Sequence, residues 1–391
     1  MRREQRPRPV GLSLTNFSFL THPDDTLRAL REIAQIEASE LSAVLNFDDP
    51  HCLDAGSFLV LAEIWPKMAP VFVGGRMPRA IQKVLNATGV SRNNRMSMTA
   101  LARDDGPSTV GKFSDVWAFQ LQRRRPALSS RSTTQHLDPQ AREVATDRFC
   151  NAVDEWLGVP EIDQELTTEG RGWLASIIGE LLCNAERHSQ PNSNDGDWST
   201  TAFMVRRFED AKPVLRCYIA FLSVGRSFAE SLSDAAPDVR AKLSSYVARH
   251  AASGASADTL ATVFALQDTI TCDPAARENR SGGTGLQDVL EFVDELGGRG
   301  AASLESRVTI VSGRSCISLT RPYIPGVRRD ESKPRLQWCN ATNSSEEPPD
   351  PAVAFDLSSH FAGTLVSVAF TLDPEYLAGN TESENGSDDR S

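Results

Sequence analysis

Residues 177–190 read IIGELLCNAERHSQ. Wound as a helix, this stretch stacks Glu180, Asn184 and His188 on one face, since side chains four apart lie above one another. Ile177, Ile178, Leu181, Leu182 and Ala185 cover much of the remaining surface, so the helix is buried within a domain. A carboxylate, a carboxamide and an imidazole on such a helix are costly unless each finds a partner. A ligand carrying a divalent cation and phosphates supplies those partners: the glutamate can polarise a water or hydroxyl, and the amide carbonyl can bind a hard cation such as Mg2+. The plain alternative is an amphipathic helix whose polar residues face water.

A second stretch bears on that choice. Residues 281–300 read SGGTGLQDVLEFVDELGGRG. Gly282, Gly283 and Gly285 run into an apolar helical pattern (Leu286, Val289, Leu290, Phe292, Val293, Leu296), which Gly297 and Gly298 close. Glycines before a helix N-terminus leave backbone N–H groups free to cradle an anion. Between the two stretches the pattern changes to period 2, giving strands over 198–208 and 214–222. A further strand over 365–372 follows Ala362-Gly363-Thr364.

In this order the residues resemble the GHKL ATP-binding domain, shared by histidine kinases, anti-sigma-factor kinases, Hsp90-type chaperones, DNA gyrase B and MutL. ELLCNAERH is similar to that family's first box, and the resemblance implies Glu180 as the catalytic base, Asn184 as the Mg2+ ligand and His188 beside the nucleotide. GGTGL resembles the glycine box at the lid, so Gly282, Gly283, Thr284, Gly285 and Leu286 are expected at the triphosphate, with Arg277 and Arg280 as phosphate contacts. Gly363-Thr364 resembles the pair that opens the last strand, adding Thr364. The family's D-x-G-x-G-I turn has an imperfect counterpart in Ser223-Val224-Gly225-Arg226-Ser227-Phe228. Gly225 is kept, but Ser223 stands where the family has the aspartate that bonds the adenine amino group. A neutral hydroxyl lacks the charge assistance that makes a carboxylate's hydrogen bond about twice as strong. Arg226 is placed to reach a phosphate and Phe228 to pack on a base; a solvated charge and a core aromatic are their ordinary alternatives.

Upstream, strand and helix patterns alternate: strand character over 10–20, helix over 23–38, strand over 41–47, helix over 57–68, a short strand over 71–73 and helix over 79–87. NFDDPHCLDAGSFLVLAEIW and MPRAIQKVLNATGV resemble a STAS-like domain, the fold of anti-sigma-factor antagonists. The family's phosphoacceptor serine is matched by Ala55 in Asp54-Ala55-Gly56-Ser57, and Ser57 reads as the N-cap of the following helix.

The expected fold class is α/β (α+β): a STAS-like module over residues 9–95, a linker over 96–138 that holds a strand at 112–122, and a two-layer GHKL-type (Bergerat) sandwich over 139–375. Within the latter, 231–285 corresponds to the lid and 321–351 to a surface insertion. Arg123 to Arg125 read as a solvated basic break, and 302–312 and 315–320 as two strands joined at Gly313-Arg314. Residues 1–8 and 376–391 read as disordered tails.

The 391 residues suffice for two or three domains. A net charge of −11 argues against nucleic-acid binding through a basic surface. Seven cysteines, without metal spacing or C-x-x-C pairs, point to reduced thiols in a cytoplasmic protein. No apolar run reaches membrane-spanning length. The functional expectation is an ATP- and Mg2+-dependent regulatory protein, an ATPase or a serine kinase acting on a protein partner of STAS or sigma-factor type. The resemblance also allows a homodimer. The alternative is a pseudo-ATPase that binds nucleotide poorly and works as a scaffold or inhibitor.

Overall fold

The computed structural model describes residues 9–39, 42–49, 53–93, 96, 99–101, 113–124, 141–188, 196–209, 212–268, 270, 285–297, 305–324, 335–374 and 377. It is an α/β protein built on two sheets. Strands β1 (Val10–Leu14), β2 (Ala43–Phe47), β3 (Phe72–Pro78) and β4 (Thr99–Leu101) form a parallel sheet in sequential order. Helices α1 (Pro23–Ser39), α2 (Ala55–Met68) and α3 (Arg79–Ala87) connect them, and a short α4 (Val90–Asn93) precedes β4. The second sheet is antiparallel, in the order β5-β6-β7-β9-β8: β5 (Phe113–Arg124), β6 (Asp197–Glu209), β7 (Lys212–Val224), β8 (Arg307–Leu319) and β9 (Ala354–Leu372). Its helices are α5 (Ala141–Leu157), α6 (Thr168–His188), α7 (Phe228–Leu232), α8 (Pro237–Arg249), α9 (Ala257–Ala265) and α10 (Gly285–Leu296).

Period-2 alternation along β6, β7 and β9 sorts their side chains into two cores. Met204, Ile219 and Val368 join the helices α5, α6, α9 and α10. Phe203, Ala220 and Ala369 join the N-terminal module. The antiparallel sheet is therefore covered on both faces, and α2 lies between two sheets. That position explains why every residue from Ala55 to Ala62 is buried and why α2 carries no polar stripe.

Polar groups fix this seam as well. Asp54, fully buried, is the N-cap of α2 and accepts from six donors: Ser18 Oγ, the backbone N–H groups of Phe19, Leu20 and Gly56, Ser57 Oγ, and Ser367 Oγ on β9. Ser57 is thus not the N-cap. It lies fully buried inside the helix, because the carboxylate one turn earlier captures the free N–H groups. Glu63 of α2 accepts from Ser199 on β6 and pairs with Arg123 on β5 (3.0 Å).

Several expectations are corrected. Arg123 and Arg124 are strand residues, paired with Glu63 and Glu186, rather than a solvated break. The stretch read as a linker contributes β4 to the first sheet. The two strands expected around Gly313-Arg314 are one, since Gly313 at φ +61° accommodates a register shift and the long β9 pairs with both halves. The stretch matched to the lid is entered by two helices, α7 and α8, the second opened by Pro237. The insertion is not a bare surface loop: Trp338 and Cys339 are buried, and Trp338 packs on Tyr246 with ring centroids 4.9 Å apart. Leu260, Val263 and Phe264 of α9 also belong to the core. Among the described residues no helix is long and apolar enough to cross a membrane.

Candidate functional site

Helix α6 starts at Thr168, where Thr167 Oγ1 accepts from the Gly170 N–H (3.0 Å). Its apolar side, with Leu174, Ile177, Ile178 and Leu182 at helical spacing, is buried against the sheet. The opposite polar row is anchored internally: Asn184 Nδ2 donates to Glu180 Oε1 at 3.2 Å. This leaves the Asn184 carbonyl Oδ1 as the atom suited to a hard cation.

The N-terminus of α10 meets this row. A Cβ on Gly285 would stand 2.6 Å from Glu180 Cγ and 3.6 Å from Asn184 Nδ2. Only glycine allows that approach without moving one of the two helices. Gly363, at φ +131°, is placed so that a Cβ would run into the backbone carbonyl of Ser223 on the neighbouring strand. Its absence of side chain lets Thr364 pair directly with Ser223.

Strand register then lines up Trp198, Ser223, Thr364 and Ser312 across β6, β7, β9 and β8. The hydroxyls interact: Ser312 Oγ lies 2.8 Å from Thr364 Oγ1 and accepts from the Phe228 N–H at 2.8 Å. Between this row, α6 and the start of α10 lies a cavity of about 150 Å³. Asn184, Ser223, Arg226, Gly285, Leu286 and Thr364 line it together with Phe228 and a mostly apolar wall. Such a wall with few convergent polar groups is the usual make-up of a small-molecule site. Among the described lining residues Arg226 carries the one charge.

The turn that follows β7 is cross-linked by hydrogen bonds of its own side chains. Gly225 adopts φ +138°. Arg226 donates from Nη1 to Asp234 (2.6 Å) and from Nη2 to the Glu230 carbonyl and to Ser233 Oγ. Ser227 caps α7 in a reciprocal box with Glu230. The Ser227 backbone N–H holds the Glu230 carboxyl below its ordinary range, against a smaller opposing effect of burial. On α6, burial pushes the Cys183 thiol up, so this half-buried cysteine is a poor nucleophile.

Five of the residues singled out in the sequence, Asn184, Ser223, Gly285, Leu286 and Thr364, meet at the cavity. Glu180 stands directly behind, between Asn184 and Gly285. Arg226 and Phe228 line it too. His188 ends α6 and Gly225 shapes the turn; neither is among the lining residues. Arg277, Arg280, Gly282, Gly283 and Thr284 lie outside the described residues. Trp198, Phe221, Ser231, Ile270 and Val366 were not anticipated. Two were within reach of strand periodicity, since Phe221 and Val366 stand two residues from Ser223 and Thr364 on the same face.

Among the described residues no cluster of three or more His, Cys, Asp or Glu forms a metal cage. A cation at Asn184 and Glu180 would need further oxygens from a ligand, which is how Mg2+ is commonly held. Comparison of the chain with models of known families, with curated proteins and with solved structures gave no match.

Proposed function

We propose that this protein is a Mg2+-dependent purine-nucleotide-binding regulator of the GHKL type. The observation that carries the reading is the meeting of Asn184, Ser223, Gly285 and Thr364, drawn from four separate elements, at one cavity. In this reading the base enters the apolar part between Phe228 and the sheet. The phosphates lie toward the N-terminus of α10, whose helix dipole favours anions. Asn184 Oδ1 would hold a Mg2+ ion, which would offset the phosphate charge. Glu180 would orient water or a partner's hydroxyl for attack on the terminal phosphate.

The N-terminal module supports a regulatory role in the cytoplasm with a protein partner. It covers the face of the sheet opposite the cavity, and Ser57 is fully buried there. A hydroxyl acceptor for phosphoryl transfer would therefore come from a second molecule. Glu63 bonds Ser199, whose backbone neighbours Trp198 at the cavity floor, so the module touches the strand that nucleotide would contact.

A pseudo-ATPase that binds nucleotide poorly and works as a scaffold or inhibitor is the second reading. It is favoured by Ser223 in place of an acidic residue, and by a Glu180 carboxylate engaged with Asn184 rather than lining the cavity.

Calorimetry with non-hydrolysable ATP and GTP analogues, with and without Mg2+, tests the proposal. Magnesium-dependent heat that Asn184→Ala removes supports it. Glu180→Ala should abolish turnover while leaving binding largely intact. Heat too weak to measure with any nucleotide, from a folded parent protein, selects the scaffold. No binding by the folded protein refutes the nucleotide site.

A further inference from the structure

Resting on the nucleotide reading above, we infer that the cavity selects a 6-oxopurine, guanine or hypoxanthine, over adenine. The argument is the sign of the hydrogen-bonding groups where β7 turns into α7. An adenine amino group is a donor and needs an acceptor. No Asp or Glu is among the described lining residues. The charged group present is Arg226, which only donates and keeps its charge at any physiological pH. Its Nη atoms are held by Asp234, Glu230 and Ser233. The side chain is thereby held at the cavity wall, and these bonds leave its Nε–H and one Nη1 proton for a ligand.

The hydroxyls beside it can take either sign. Ser312 Oγ accepts from the Phe228 N–H. Ser312 Oγ and Thr364 Oγ1 lie 2.8 Å apart, and either can be the donor of that bond. Thr364 pairs with Ser223 across the strands. Arg226 is then the group that can only donate, beside the Ser223 and Thr364 hydroxyls, which can donate or accept. A ring carbonyl at the purine 6-position can accept from Arg226 and from the hydroxyls, whereas an amino group meets a second donor at the guanidinium. Sites built to hydrogen-bond one group reject an analogue that leaves their polar atoms unpaired.

Displacement of a fluorescent purine nucleotide from the full-length protein tests this, with Mg2+ present throughout. Non-hydrolysable GTP and ITP analogues should compete about tenfold or more better than the ATP analogue, the range expected when a hydrogen bond to a charged group is gained or lost. Arg226→Met should remove that margin by weakening GTP and ITP about tenfold more than ATP. Ser223→Asp, which restores a carboxylate acceptor, should reverse the order in favour of ATP. Circular dichroism and thermal melting establish that each variant is folded. A parent protein that binds ATP as well as or better than GTP and ITP overturns the 6-oxopurine inference alone. Failure of every nucleotide to bind overturns the nucleotide reading and this inference with it.

Discussion

Ser367 Oγ, on the closing strand of the antiparallel sheet, donates to Asp54 Oδ1 at 2.7 Å, joining groups 313 residues apart in the chain. Asp54 is fully buried and this bond is one of six it accepts. The N-terminal module is thus fastened through one carboxylate to the sheet that carries the cavity.

Removing that carboxylate strands several donors in the seam. Asp54→Ala should cost about 3–5 kcal/mol, as for a buried charge network broken from one side. Ser367→Ala, which deletes one donor, should cost about 1–2 kcal/mol. Urea unfolding measures both. Because the two cores share one sheet, the parent should unfold in a single transition; an Asp54→Ala midpoint equal to the parent's would show that the seam contributes nothing.

Gly285 is predicted to be irreplaceable for steric reasons. A methyl group there would press on Glu180 Cγ at 2.6 Å, and overpacking of this kind costs about 1–3 kcal/mol. Gly285→Ala should lower the melting temperature and weaken nucleotide binding together. Adding Glu180→Ala should restore most of the lost stability, because the clash disappears. A double-mutant cycle reads the coupling; strictly additive effects would contradict the assigned contact.

Arg335 ties the insertion to the site. It is buried and pairs with Asp268 (3.4 Å), Asp288 and Glu291, the last two on α10. Arg335→Ala would leave these carboxylates facing one another, and should cost about 2–4 kcal/mol, the lower end reflecting the partial exposure of Asp288 and Glu291. Since α10 begins at the cavity, nucleotide affinity should fall too. Unchanged affinity in a folded variant would show that the insertion does not position this helix.

The capping box of α7 predicts a pH dependence. Glu230 has a depressed carboxyl pKa, caused first by the Ser227 backbone N–H. Its contribution is fully present above the ordinary value of 4.5 and is lost as pH falls through the depressed folded-state value. Glu230→Gln should therefore melt lower than the parent at neutral pH, and the difference should shrink as pH drops below about 4.5. Thermal melts across that window measure it; a difference independent of pH would assign the cap to shape rather than charge.

Much of the architecture was legible because it rests on local patterns. The helix around Glu180 and Asn184 shows in its spacing, and the third helix runs from Arg79 to Ala87 as its flanking Pro78 and apolar spacing predict. What sequence hid was long-range. Arg123 and Arg124 look solvated until Glu63 and Glu186 are brought beside them by folding. Gly313-Arg314 looks like a turn, and the continuity of that strand depends on β9 being 19 residues long. The insertion is rich in turn residues, yet it buries Trp338, and its backbone is satisfied by its own side chains: Asn340 Nδ2 donates to the carbonyls of Ser344 and Glu347. At the site, the polar contacts were visible as motifs, while Trp198 and Ile270, ordinary apolar residues in sequence, became lining only through the fold.

Photo-crosslinking with an 8-azido-purine triphosphate and Mg2+, mapped by mass spectrometry, tests the central claim most directly. The label is predicted on peptides spanning 221–228 and on the strand segment containing Thr364, and unlabelled GTP should suppress it. Absence of label from both segments, or label that excess Mg-nucleotide does not displace, would contradict the assignment of this cavity as a nucleotide site.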